Sequence, residues 1–338
     1  MTCMWPATPS LRRISVVVPT RNRPGPLAET LATLREQELP RDAYEIVVVD
    51  DGSEPALTSM PAGVRLERLD GRERSAARNA GAQVATGELL VFLDDDITVG
   101  SGFLGAHLAA HREWRGALAV GAIDLPEYAS RQPFGRFRQA LERTGIPSQR
   151  GITHLRNFCT AQNMSIARWQ FLELGGFDEA LVSAEDQDLA LRHSQAGGAI
   201  VLLPEAVGIH RDEAMDVRSY CRRAEWGSER LVAFCRKHPA WPENMVRERV
   251  NGPVRWGREA LGQSARKVAK KSVAVRPVLE MLFQATAVIE RVAPESSVLE
   301  RMYRVLLGVH IYRGYRSGAT RSVSSKLAVV SGLSPKCG

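Results

Sequence analysis

The chain has 338 residues, of which 44% are apolar, so it is a globular protein with room for one large or two small domains. Its five cysteines (Cys3, Cys159, Cys221, Cys235, Cys337) are odd in number and lack metal or redox spacing, which excludes a disulfide framework and a zinc site. The net charge of +7 is uneven: residues 250 to 338 hold 15 Lys/Arg against 5 Asp/Glu, a net of +10, leaving 30 against 33, or −3, for residues 1 to 249.

No early stretch has a signal-peptide core, and no window approaches the roughly 18 uncharged apolar residues of a spanning helix. The expectation is a cytoplasmic protein, with a basic tail that suits anionic lipid, nucleic acid or a merely soluble surface.

Residues 1–11 read as a flexible leader. Ile14 to Val18 is a β-branched strand that stops at the polar loop Pro19-Thr20-Arg21-Asn22-Arg23-Pro24. Leu27, Leu31 and Leu34 mark one face of a helix over Leu27 to Gln37. A second apolar run, Tyr44 to Val49, ends in Asp50-Asp51-Gly52-Ser53, and a weaker strand follows at Val64 to Leu69. Alternating units of this kind predict parallel strands covered by helices, with both loops on the same sheet edge.

Ser75 to Ala85 is a small-residue helix with Arg78 near its start, where it would reach a phosphate; from spacing alone a plain surface arginine fits equally well. Next comes Leu89-Leu90-Val91-Phe92-Leu93-Asp94-Asp95-Asp96, an apolar run that stops at three carboxylates. A buried strand ends this way at a ligand site. If the chain stays extended, Asp94 and Asp96 share a face while Asp95 points away, and the pair holds a divalent cation and a diphosphate. The alternative is a solvated acidic turn or a helix start.

Residues 103 to 115 resume a helix and Ala117 to Ile123 a strand. From Pro126 to Asn157 the periodicity fades, which predicts a mobile insertion of the lid or binding-loop type. After Thr160 to Ala167 come Gly175-Gly176-Phe177-Asp178-Glu179 and a helix opening with Glu185-Asp186-Gln187-Asp188. Helix capping explains part of that acidity, and three acids in four residues exceed it. Ile200 to Leu203 is another strand, with His210 shortly after; by itself such a histidine reads first as structural. Beyond residue 215 everything reads helical (Tyr220 to Lys237, Val278 to Val292, Val298 to Tyr315), with fraying expected from Ser322 to Gly338.

The ordered blocks Val18 to Arg23, Asp50 to Ser53, Ala77-Arg78-Asn79-Ala80-Gly81, Asp94 to Asp96, and Gly175 to Glu179 with Glu185 to Asp188 resemble the family 2 glycosyltransferases over about residues 12 to 237. The resemblance implies an α/β GT-A fold, a Rossmann-like, mostly parallel sheet between helices. Its nucleotide-sugar half would cover about 12–125 and its acceptor half about 126–237, followed by a basic helical extension (238–317) and a flexible tail (318–338). It also implies residue roles. Asp51 would accept a hydrogen bond from a uracil or thymine N3–H, with Pro19, Thr20, Arg21 and Arg23 lining nucleoside and phosphates. Arg78 would neutralise diphosphate, Asp94 would face the donor ribose or the metal, and Asp95 would belong to the nucleotide-sugar site. Asp96 and His210 would hold Mn²⁺ or Mg²⁺, and Asp186, or else Glu185, would be the general base of an inverting transfer.

The implied partners are a nucleotide sugar, typically a UDP- or dTDP-sugar, and a glycan, lipid-linked or small acceptor. The tail helices would either bind anionic membrane or pack as ordinary helices. Two competing functions are a sugar nucleotidyltransferase, which would want a glycine-rich phosphate loop after the first strand, and a membrane or nucleic-acid adaptor. An adaptor would not need the acidic blocks, and the tail lacks aromatics arranged for base stacking, so no nucleic acid is expected.

Overall fold

The computed structural model describes residues 13–143, 149–153, 159–212 and 215–330, with side chains to residue 321. The expected leader (1–11) and the chain beyond 330 lie outside the described residues. In order, the elements are β1 (Ile14–Thr20), α1 (Pro24–Arg35), β2 (Tyr44–Asp51), β3 (Val64–Leu69), α2 (Arg74–Val84), β4 (Leu89–Leu93), β5 (Ile97–Val99), α3 (Phe103–Glu113) and β6 (Leu118–Asp124). Then follow α4 (Glu127–Ser130), α5 (Pro133–Glu142), β7 (Gly151–Thr153), β8 (Asn163–Ala167), α6 (Arg168–Glu173), α7 (Glu185–Gln195) and β9 (Ile200–His210). The last five helices are α8 (Val217–Lys237), α9 (Pro242–Asn251), α10 (Leu261–Val273), α11 (Arg276–Val292) and α12 (Ser297–Val330).

One mixed sheet, in the order β3-β2-β1-β4-β8-β6-β9-β5 with β7 added on β9, organises the first compact unit, residues 1–130 and 139–213. β1 pairs in parallel with β2 and β4, and β2 with β3, so the loops that follow these strands share one edge, as the alternating pattern predicts. β4 then runs antiparallel to β8. β1 and β4 are buried along their whole length, which is why both read as unbroken apolar runs. Pro19 is the penultimate residue of β1 rather than part of the loop. It lies beyond Val17, the last β1 residue registered with β4, so its missing N–H costs that ladder nothing.

Two apolar layers cover the sheet. On one side Leu27, Leu31 and Leu34 of α1 and Phe103, Leu104 and Leu108 of α3 join one core cluster with β1, β2, β4, β6 and β9, where α3 lies on β9 and β6. On the other, Phe92, Phe171 and Phe177 form a triad with ring centroids 5.0–5.3 Å apart. Truncating any of these rings to Ala would cost about 3–5 kcal/mol. The small residues of α2 serve close packing: a Cβ at Gly81 would lie 2.4 Å from Val17, so only glycine lets the helix sit this near β1.

The second unit comprises residues 131–138 and 214–338. The helix α8, predicted as the end of the catalytic half, belongs to this unit. Its partner is α12, whose Gly314 and Gly318 lie against the Glu225 and Glu229 carbonyls, too close for any Cβ. Phe134 and Phe137 pack on Tyr303, and Phe134 also meets the Tyr220 ring. The stretch 126–157, predicted to be an aperiodic mobile insertion, instead contributes α4, α5 and β7; residues 144–148 and 154–158 lie outside the described residues. Helix α12 continues to Val330, past the predicted start of fraying.

The first unit buries three histidines as neutral hydrogen-bonding groups. His107 lies between Ser165 Oγ (2.8 Å) and Asn163 Oδ1 (3.0 Å), His111 meets the same Ser165 hydroxyl, and His193 meets the Gly116 carbonyl. Burial pushes their pKa values down to about 4, about 3 and about 4. The unfolded chain therefore takes up protons near pH 6.5 that the folded chain refuses, so these groups favour the fold above about pH 6.5 and oppose it progressively as pH falls toward 4. Because the raised pKa values of Asp95 and Asp186 act in the opposite sense, the test is the difference: His111→Gln should gain urea midpoint relative to the wild type as pH falls from 7 to 4.5, and an unchanged difference across that window would contradict this account.

Candidate active site

The edge formed by the ends of β1, β2 and β4 gathers the acids and arginines singled out in the sequence. Asp94 follows β4 directly, but Asp95 and Asp96 lie in a turn closed by the Ile97 N–H donating to the Asp94 carbonyl at 3.3 Å. The backbone is therefore not extended through the triplet, and the expected face-sharing of Asp94 and Asp96 does not occur. The three carboxylates diverge. Asp94 Oδ1 accepts from Arg78 Nη2 at 2.6 Å. Asp95 accepts from Thr20 Oγ1 at 2.7 Å and Arg23 Nη1 at 2.9 Å. Asp96 Oδ2 accepts from Arg23 Nη2 at 2.8 Å and lies 3.1 Å from His210 Nε2. Asp95 thus does not point away; it anchors the start of α1, and Thr30 Oγ1 donates to its carbonyl.

The repulsion expected among three adjacent carboxylates is offset by two arginines of the chain itself. Arg78 is only 1% exposed and bridges Asp94 to Glu185, with Nη1 donating to Glu185 Oε1 at 3.0 Å. Turned inward in this way, it is not the open phosphate ligand that the helix position suggested. Its Nε is buried without a partner. Burial raises the Asp95 pKa to about 6 against the opposing pull of Thr20 and Arg23. Burial also acts on Asp96, but His210 and Arg23 outweigh it and hold that carboxyl below the usual range.

Asp51 ends β2, and its two carboxylate oxygens accept the backbone N–H groups of Arg72 (2.7 Å) and Glu73 (2.9 Å). The carboxylate is thereby fixed in orientation while keeping lone pairs for a further donor. Gly52 permits this turn: at φ +78° a side chain would be strained, and its Cβ would meet Gly71 N at 2.8 Å. Arg21 is exposed, with its guanidinium beside Gly71. The loops after β1 and β2 are tied together, since Asn22 N–H donates to Ser53 Oγ and Glu54 N–H to Asn22 Oδ1.

The acids of α7 divide their work. Glu185 pairs with Arg78. Asp188, fully buried, pairs with Arg192, which also donates to the carbonyls of Leu174 and Gly176 and so braces the Gly-Gly-Phe-Asp turn. Among the described residues Asp186 forms no salt bridge; its oxygens accept the N–H groups of Gln187 (2.8 Å) and Ala161 (3.2 Å). Its edge reaches solvent while protein atoms surround the rest. Burial, with Glu185 alongside, raises its pKa. Two residues of this brace were missed as site builders: Asn79, whose side chain clamps Phe177 by accepting its N–H and donating to its carbonyl, and Thr30. The only sequence signal for Asn79 was its place in the Ala-Arg-Asn-Ala-Gly block.

His210 reaches Asp96 because β5 pairs antiparallel with β9, which sets Ile97 opposite His210 and lets the Arg211 N–H donate to the Asp96 carbonyl. Among the described residues no group of three His, Cys, Asp or Glu gathers around one point. Asp96 and His210 still suit a hard divalent ion as a two-ligand site. The Asp96 Oδ1 atom is buried without a partner, and a 3.1 Å separation matches neighbouring ligands of an octahedral ion at about 2.1 Å from each, the remaining positions falling to phosphate and water oxygens.

A mostly parallel sheet between helices, with its acids at the strand ends, defines a nucleotide-sugar transferase architecture of the GT-A type. The mannosyltransferase PcManGT of Pyrobaculum calidifontis, solved with GDP-Man and Mn²⁺, shares this fold: TM-score 0.54 at 20% identity, covering 92% of this chain and 90% of that one. Residues 15–168, just under half of the chain, match the model "Glycosyl transferase family 2". Among curated proteins it is 29% identical over 245 residues to the pre-mycofactocin glycosyltransferase of Mycobacterium tuberculosis, covering 69% of this chain and 50% of that one. It is 28% identical over 269 residues to the validoxylamine A glucosyltransferase of Streptomyces hygroscopicus, covering 69% and 63% respectively. The chain thus spans between half and two thirds of the length of these two relatives.

Removing the buried cation leaves Asp94 and Glu185 without their shared partner. Arg78→Met should therefore destabilise the first unit by about 3–5 kcal/mol, read as a lowered urea midpoint, whereas Arg21→Met, at an exposed position, should shift it by less than about 0.5 kcal/mol. Equal midpoints for the two variants would show that the bridge contributes nothing to stability.

Proposed function

We propose that the protein is an inverting glycosyltransferase that moves a sugar from a nucleoside-diphosphate donor to an acceptor hydroxyl. The observation that carries this reading is the placement of Asp186, a carboxylate with raised pKa and no salt bridge, on the same unit as the Asp51, Arg23 and Asp96 edge. Asp51, its carboxylate fixed by two N–H groups, accepts the N3–H of a pyrimidine base, which favours a UDP- or dTDP-sugar. Arg21 and Arg23 face the diphosphate, and Pro19 and Thr20 shape the loop that holds it. Arg78 acts indirectly, by holding Asp94 in place toward the donor sugar and Glu185 at the start of α7.

Asp96 and His210 would hold Mn²⁺ or Mg²⁺, which supplies Lewis-acid stabilisation of the departing nucleoside diphosphate. Asp186 accepts the acceptor's hydroxyl proton while that oxygen attacks the anomeric carbon and the bond to the diphosphate oxygen breaks on the opposite face. The configuration inverts in one displacement. The match of residues 15–168 to the family 2 glycosyltransferase model and the similarity to two glycosyltransferases support the class of reaction. The acceptor is proposed only as a glycan, lipid-linked or small-molecule hydroxyl.

Two experiments test this reading. In a panel of nucleotide sugars assayed by thermal shift with and without Mn²⁺, one donor should raise the melting temperature in a metal-dependent way, and Asp96→Ala should abolish the dependence. Full turnover in excess chelator would refute the metal role. Asp186→Asn should lower turnover by roughly 10² to 10⁴ with nucleotide affinity nearly unchanged. Because the raised pKa keeps Asp186 protonated above the ordinary carboxylate range, wild-type kcat should fall as pH drops through a point above that range. If Asp186→Asn stays active while Glu185→Gln is dead, the base is Glu185.

A further inference from the structure

Helix α10 is turned inside out. Its buried residues are Ser264 and Lys267, with Lys267 3% exposed and donating to Glu259 and to the Pro253 carbonyl. Its apolar residues face outward: Leu261 is 80% exposed and Val268, seven residues on, is exposed too, with Ala265 between them on the same stripe. By helical rotation Lys271 lies about 90° to one side of this stripe and Arg266 about 130° to the other, on the side that faces the cavity between α9 and α10. A helix that only packed as part of the second unit would show the opposite pattern.

The surroundings repeat the theme. Met245, Val246 and Val250 of α9 are exposed, as is Trp256 in the connecting loop at 68%. Residues 245 to 276 hold nine Lys/Arg against two Asp/Glu, a net of +7, equal to the net charge of the whole chain. Among the described residues no carboxylate pairs with Arg249, Arg258, Arg266 or Lys271. A cavity of about 440 Å³ opens between α9 and α10, lined by Arg249, Val250, Gly262, Arg266 and Lys270 among others and by no acid. Lys270 donates to Asn251 Oδ1 at 3.1 Å, and burial, with Lys267 beside it, holds its pKa below the usual lysine range.

We propose that the α9–α10 face of the second unit is a docking surface for an anionic phospholipid bilayer. Trp256, Leu261 and Val268 enter the headgroup–acyl boundary, and the basic basin receives a lipid phosphate. The charge selects this occupant: a second copy of the chain would set one cluster of nine cations against another, whereas an anionic leaflet complements both the charge and the apolar stripe. No single helix among the described residues is long and apolar enough to cross a membrane, and α10 and α11 meet at 86°. That bend suits helices lying along a surface. The proposal does not depend on the transfer chemistry, because it rests on other residues in the other unit.

The test uses the full chain and vesicles of phosphatidylglycerol or phosphatidylcholine. At low salt the protein should sediment with the anionic vesicles and not with the neutral ones, and Trp fluorescence should shift to the blue, a shift lost in Trp256→Phe. Leu261→Ser with Val268→Ser, which leaves the charge intact, should weaken binding by at least about tenfold. Arg266→Gln with Lys271→Gln should weaken it by about 30-fold, at roughly 1 kcal/mol per basic residue. Circular dichroism melts confirm that these surface variants fold, and donor hydrolysis reports the first unit separately. Equal binding to both vesicle types, no binding to phosphatidylglycerol at low salt, or an apolar-face-dependent dimer in place of vesicle binding would each overturn the proposal.

Discussion

The candidate site depends on one buried cation. Arg78 sits at the base of the strand-end edge, holding Asp94 with one Nη and Glu185 with the other, so the loop after β4 and the start of α7 are placed by a single side chain. Taking a guanidinium out of water is costly unless both faces of its fork are met, and here two carboxylates meet it. Around it the other contacts follow: Asn79, one residue on, clamps Phe177, and Arg192 braces the same turn from α7. Geometry at Asp186 is therefore set by residues that would never touch a substrate.

Each carboxylate of the acidic triplet has an arginine partner within the chain. Arg23 and Arg78 partner all three, and the turn at Asp95–Asp96 separates their directions. This leaves Asp96 with one oxygen engaged by Arg23 and His210 and the other buried without a partner.

The two compact units solve different problems. The first buries β-branched strands under helices and gathers buried acids at one edge of the sheet. The second is helical throughout, packs α8 on α12 by way of glycines, and keeps an apolar stripe outside and a lysine inside on α10. Such an inversion costs stability in water, which is why it reads as a surface built for another medium.

The period of its apolar residues was enough to determine, from the sequence by itself, the parallel α/β half and the helices α1 and α2, because buried strands and amphipathic helices write their periodicity into the chain. Other features needed the folded protein. That His210 meets Asp96 follows from the β5–β9 register, that Arg78 faces inward follows from the approach of α7, and that Asp95 bonds Thr20 follows from a turn rather than a strand. The helices α4 and α5 escaped notice since prolines and glycines blur their period, and α8 was assigned to the wrong unit since helical periodicity does not say which neighbour a helix packs on. Local physics repeats along the sequence, whereas contacts between residues 16 to 114 positions apart, such as Arg78–Asp94 and Asp96–His210, are decided only when the chain closes on itself.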